Sequence, residues 1–175
     1  MTVSGPIQVR VEVSEDHSAV RSVNEAAFDT PAEAGLVEAL REQAGPLISL
    51  VAVRELSGAV VGHILFSPVT LSGHDDLRLM GLAPMAVVPE LQGQGVGSAL
   101  VKAGLEACRE FGGEAVVVLG HPAYYPRFGF LPSSRFGIDS EYGVPEEVFM
   151  VLELTPGSLK DRGGRISYHP AFATV

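Results

Sequence analysis

Residues 82–111, LAPMAVVPELQGQGVGSALVKAGLEACREF, constrain this chain more than any other stretch. Residues 82–88 are almost wholly apolar, and a short apolar run closed by a turn signal reads as an inner strand, here ended by Pro89 and Glu90. The turn Gln92-Gly93-Gln94-Gly95-Val96-Gly97 sets three glycines at alternate positions, where backbone without Cβ can take positive φ and admit a ligand closely. From Ser98 the spacing is helical: Leu100, Gly104, Ala107, Cys108 and Phe111 share one face, and Lys102, Glu106, Arg109 and Glu110 the other. A helix entered through glycines offers unpaired N–H groups and the positive end of its dipole to whatever fills the turn. That makes an anion site, and phosphate is the usual anion.

Several phosphate-binding turns share this outline. A dinucleotide fingerprint, G-x-G-x-x-G, is matched at Gly93 and Gly95, but Ser98 stands at the third glycine position, and such a motif normally follows the first strand of its domain. The Gly-Lys-Ser/Thr of a P-loop is absent. A tight turn whose glycines serve packing alone is the remaining reading.

The flanking residues separate these readings. The run AVVPELQGQGVGSALV resembles motif A of the GNAT superfamily of N-acetyltransferases, with Gln92, Gly95 and Gly97 supplying its Gln/Arg-x-x-Gly-x-Gly/Ala pattern. Downstream, Tyr125-Pro126-Arg127-Phe128-Gly129-Phe130 is similar to the Tyr-x-x-x-Gly-Phe that ends the family's motif B. The pair covers residues 81–130 in the expected order. The form Gly120-His121-Pro122-Ala123-Tyr124-Tyr125 resembles a small bacterial branch with a Gly-x-Pro-Ala-Tyr-Tyr motif B.

The resemblance implies an α/β fold: a mixed, largely antiparallel sheet splayed at its central strands, with helices on both faces. It implies acetyl-CoA as co-substrate, its diphosphate held by the amides of Gly93, Gln94, Gly95, Val96, Gly97 and Ser98. The pantetheine arm would add along the backbone of Met85, Ala86 and Val87 like an extra strand. It assigns Tyr125, four residues before Gly129, as the acid that protonates the leaving thiolate, with Tyr124 as second choice, and the Val87 N–H as oxyanion donor. Val118 stands where many family members carry an Asn, so any contact made by that Asn is lost. The implied function is transfer of an acetyl group to a primary amine of a small molecule or protein. The alternative is a non-catalytic acyl-CoA-binding sensor or interaction module, motivated by the missing Asn and by residues 81–88, which contain no titratable side chain to act as base.

Other candidates are weaker. His121, at the end of the following strand, is the candidate base or acceptor contact. His63, within GHILF, reads as a satisfied core histidine. Cys108, the single cysteine, falls on the apolar helix face and reads as core. The five histidines have no paired ligand spacing, so no metal is expected. Asp29, Glu33 and Glu38 are candidates to hold a cationic amine, and each reads more simply as an exposed helix carboxylate.

Composition bounds the rest. The 175 residues fit one domain, with 46% hydrophobic and 19% charged residues. A net charge of −9 argues against non-specific nucleic-acid binding and suits cationic acceptors. No run nears the roughly 18 apolar residues that span a bilayer, and the N-terminus lacks a signal-peptide apolar region, so a cytoplasmic protein without a membrane partner is expected. A homodimer is compatible with the sequence. In order, strands are expected at 7–13, 50–55, 59–66, 82–88, 115–119 and 148–154. Helices are expected from Ser14 or Asp16 to about 28, from Thr30-Pro31 to Gly45, from Ser98 to 111 and over 122–128. Residues 1–155 form the expected acetyltransferase domain, and 156–175 a polar, glycine-rich tail docked on its surface, with Ile166, Tyr168 and Phe172 as the docking residues.

Overall fold

A computed structural model describes residues 5–174. Strand β1 (Ile7–Val11) leads through a short 3-10 turn into α1 (His17–Ala27) and α2 (Ala32–Gln43). An antiparallel run follows: β2 (Ile48–Arg54), β3 (Val60–Leu71) and β4 (Leu79–Val87). Next come α3 (Val96–Phe111), β5 (Ala115–Leu119), β6 (Leu131–Pro132), β7 (Ile138–Ser140), β8 (Phe149–Glu153) and β9 (Gly164–Ser167). The main sheet runs β1-β2-β3-β4-β5-β8-β6, and only β4 and β5 pair parallel within it.

Strand alternation divides the core in two. Leu50 and Ala52 of β2 and Ile64 and Phe66 of β3 face α3, meeting Leu100, Val101 and Cys108. Val51, Val53 and Leu65 point the other way, onto Val20, Leu36, Val37 and Leu40 of α1 and α2. Period-2 strands between amphipathic helices can bury both faces only in this layered arrangement. Gly104 sets how near α3 lies: a Cβ there would collide with the Phe66 ring.

Two features of β4 prepare the site. Beside β3, Ile64 pairs with Met85 and Phe66 with Leu82, so Ala83 and Pro84 oppose the single residue Leu65 in a bulge. Pro84 has no N–H to give a ladder, and bulges are where strands tolerate that. On its other side β4 pairs with β5 at only three positions, Leu79–Ala115, Met80–Val116 and Gly81–Val117. Beyond Gly81 the two strands separate, giving the expected splay.

Two sequence expectations change. Residues 122–128 form a turn and then a 3-10 helix, Tyr125–Phe128, rather than a helix begun at Pro122. Pro126 supplies no N–H and disfavours helical geometry at Tyr125, while Gly129, at φ +102°, closes the segment. The segment expected as a docked tail supplies a strand as well: β9 pairs antiparallel with β3 and parallel with β7. Ile166, Tyr168 and Phe172 are buried, as apolar side chains among glycine and polar neighbours must be if they are to leave water.

Candidate active site

The turn from β4 into α3 is built to leave amides free. Gly93 (φ +76°) and Gly95 (φ +91°) hold left-handed backbone, which any residue with a Cβ resists. Gly95 is the N-cap of α3, and no side chain caps the helix. The N–H groups of Val96, Gly97 and Ser98 precede the first intrahelical bond, donated by Ala99 to Gly95. Gly93, Gly95, Gly97 and Ser98 line a groove of about 230 Å³ together with Val87, Gln92, Tyr124 and Arg127.

The Tyr124 hydroxyl lies 3.2 Å from the Ser98 Oγ. The Arg127 guanidinium stacks 4.5 Å over the Tyr124 ring, and its Nε donates to the Tyr124 carbonyl at 2.9 Å. This puts one cation on the rim of an anion-binding turn in an acidic protein.

The open edge of β4 continues from the groove. Val88 N–H donates to Val61 C=O at 2.9 Å. Antiparallel alternation then makes His63–Ala86 the next hydrogen-bonded pair and turns the polar groups of Met85 and Val87 away from β3. The Gln92 side chain supports this orientation, donating its Nε2–H to the Val87 C=O at 2.9 Å. The Val87 and Met85 N–H groups thus face the gap. Ala86 pairs with His63 across the ladder, so its backbone groups point toward β3 and not into the gap.

Tyr125 stands at the other end of that edge. Its ring is buried, edge-on to Tyr124 (centroids 5.1 Å) and to Phe130 (5.6 Å). Burial first, and Tyr124 second, push its phenol up to about 12, so it holds its proton throughout the neutral range. A Cβ on Gly120 would collide with this ring, which accounts for the glycine before His121.

Tyr125 opens into a second cavity, of about 310 Å³, walled by Phe28 at the end of α1, Glu33 and Leu36 of α2, residues 82–85 of β4, Leu119 and Phe172. Met85 joins the two spaces, since it lines the cavity and lies against Gly97 at the groove.

The remaining candidates fall elsewhere. His121 is exposed and lines a separate depression with Pro122 and Val148, divided from the Tyr125 cavity by Leu119. It does not line the cavity, because Tyr125 fills that side of the turn. His63 is fully buried, its Nδ1 3.3 Å from Asn24 Nδ2 and its Nε2 2.9 Å from Ser49 Oγ. Ser49 donates onward to Glu12 at 2.8 Å, and Glu12 pairs with Arg41 at 2.7 Å. Burial, aided by Arg41, pushes His63 down to about 3 and keeps it neutral. Cys108 is buried in the core, its thiol pushed up to about 12 by burial. Of the three acidic candidates, Glu33 reaches the cavity, whereas Glu38 is exposed and pairs with Arg21 at 2.6 Å. No group of three metal-ligating side chains occurs among the described residues. Gln92 as a brace for Val87, and Phe28 and Phe172 as cavity walls, carry no sequence signal of those roles, because each role exists only through a tertiary contact.

The model of the acetyltransferase (GNAT) family matches residues 14–130. The chain is 38% identical over 164 residues to the uncharacterized N-acetyltransferase YhbS of Escherichia coli, covering 94% of this chain and 97% of that protein. It is 47% identical over 136 residues to the uncharacterized N-acetyltransferase YjhQ of the same species, covering 75% and 74%. Among solved structures, YhbS from Escherichia coli in complex with CoA is similar with a TM-score of 0.90 at 35% identity, covering 99% of this chain and 95% of that one. A GNAT family acetyltransferase from Brucella melitensis in complex with acetyl-CoA gives 0.77 at 35% identity, covering 95% and 98%.

Proposed function

Because the chain belongs to the GNAT family of acetyltransferases, we propose how its residues divide the work of acetyl transfer. The protein is an acetyl-CoA-dependent N-acetyltransferase, and its acceptor on this reading is a primary amine of a small molecule or protein. The amides of residues 93–98 take the diphosphate, with Arg127 adding charge at the rim. The outward N–H and C=O of Met85 and the N–H of Val87 take the pantetheine arm and then the thioester oxygen. The amine enters from the cavity beside Glu33 and Tyr125. Its nitrogen attacks the thioester carbon, the tetrahedral intermediate collapses with loss of thiolate, and Tyr125 gives that thiolate its proton. No side chain of residues 81–88 can serve as base, so the nitrogen's proton passes through the cavity to solvent water, and Tyr125 regains the proton it gave from solvent.

One observation carries this reading: an uncapped glycine turn and a buried, protonated phenol lie at the two ends of one unpaired strand edge. A passive acyl-CoA sensor would need the turn and the edge but not the phenol at the cavity wall. Nucleic acid has no place in this scheme, because the net charge is −9 and the rim cation faces the cofactor groove. The reading calls for the cytoplasm, where acetyl-CoA is made. The test is calorimetry with CoA followed by thiol release from acetyl-CoA across a panel of amines. Micromolar CoA binding with amine-dependent thiol release is expected. Binding without release would favour the sensor, and absent binding would end the reading.

A further inference from the structure

We infer that the acceptor is a singly cationic amine carried on an apolar body, and that Glu33 selects it. This rests on the acetyltransferase reading above and names the substrate class of the same site. The cavity that receives Tyr125 has walls of aromatic and aliphatic side chains with two ionisable members, Glu33 and Tyr125. Tyr125 is held neutral, so among the described residues that line the cavity the charge is that of Glu33. Glu33 sits half-buried in the first turn of α2, its Oε1 accepting from the Thr30 hydroxyl at 3.4 Å. The other acidic candidates do not line the cavity: Glu38 pairs with Arg21, and Asp29 is exposed. Among the described residues no ion pair involves Glu33, and no Lys, Arg or His lines the cavity.

Chemistry then fixes the class. An ammonium entering a mostly apolar space needs a counter-charge, and Glu33 supplies one. A substrate carboxylate would meet the same Glu33 with no cation to offset it, so amino acids and acidic peptides are disfavoured. The rest of the substrate meets Phe28, Leu36, Leu82, Leu119 and Phe172, which reward apolar surface and offer a polar body no partner.

The experiment compares matched acceptors. Across ethylamine, butylamine and hexylamine, kcat/KM is expected to rise about fourfold per added methylene until the cavity is filled. 2-Phenylethylamine is expected to exceed both ethanolamine and phenylalanine at least tenfold. Glu33→Gln is expected to raise the amine KM about tenfold or more, to leave the acetyl-CoA KM within about twofold, and to shrink the penalty on phenylalanine; Glu33→Asp restores part of the loss. A flat chain-length series, a preference for zwitterions, or an unchanged phenylalanine penalty in Glu33→Gln would overturn the proposal. So would CoA binding with no transfer to any apolar amine. Failure to bind CoA at all would instead remove the acetyltransferase reading beneath it.

Discussion

Tyr125 differs from Tyr124 beside it in what surrounds the hydroxyl. Tyr124 is tied to Ser98 and stacked by Arg127, at the glycine turn, while Tyr125 is desolvated and faces the second cavity. Tyr125→Phe should lower kcat about a hundredfold or more with CoA affinity nearly unchanged, because the lost proton is needed only as thiolate leaves. With its phenol pushed up to about 12, Tyr125 should add no alkaline limb to the kcat profile below about pH 10. His63 gives a second prediction. Its folded value, about 3, lies below the ordinary histidine value near 6.5, so its contribution to stability is present above pH 6.5 and is lost as pH falls toward 3. Denaturant midpoints for wild type and His63→Gln, compared at pH 7 and pH 5, should show the wild type losing more. The slope due to one such group reaches about 1.4 kcal/mol per pH unit, and equal losses in the two proteins would contradict the assignment. In the sequence, Tyr125 is singled out by the family resemblance, through its spacing to Gly129. Nothing in the chain separates Glu33 from Asp29 or Glu38, because which carboxylate meets the cavity depends on where α2 docks.

The strand–turn–helix unit of β4 and α3 was legible because its pattern is local: an apolar run, three glycines, then a 3.6-residue period. The backbone polarity of β4 was not. The distinction between Met85 and Val87, which face the gap, and Ala86, which faces β3, depends on pairing phase, and the bulge at Ala83–Pro84 shifts that phase. Two glycines of α3 should separate packing from binding. Gly104→Ala drives a methyl group into the Phe66 ring and should cost about 1–3 kcal/mol of stability with CoA affinity kept. Gly97→Val instead fills the groove against the Tyr124 hydroxyl and Met85, and should weaken CoA binding about tenfold or more with a smaller loss of stability. Thermal melts with and without CoA for both variants check the pair; a Gly97→Val protein that binds CoA normally would contradict the placement of the diphosphate.

For the whole molecule, the fold class and the splay were implied by the family resemblance, and pattern alone gave the order of elements through β5, with β8 beyond it, while the short β6 and β7 were not placed. The C-terminal segment was underread, because its buried large side chains, Leu159, Ile166, Tyr168 and Phe172, are scattered among glycine, polar and small residues, and only Ile166 and Tyr168 stand at strand spacing. We propose that residues 156–174 belong to the domain itself. Deleting them removes four buried large side chains, Leu159, Ile166, Tyr168 and Phe172, worth about 1.5–3 kcal/mol each, breaks the pairing of β9 with β3 and β7, and takes away a wall of the cavity beside Tyr125. The truncated chain should therefore show no cooperative unfolding transition, whereas a surface tail could be deleted with the melting temperature kept. The central claim is that one strand edge connects a phosphate-gripping turn to a protonated phenol, and a crystal structure with CoA bound tests it most directly. The account predicts diphosphate oxygens about 3 Å from the amides of Val96, Gly97 and Ser98, and the CoA sulfur within hydrogen-bond reach of the Tyr125 hydroxyl. A diphosphate bound elsewhere, or a sulfur directed away from Tyr125, would contradict it.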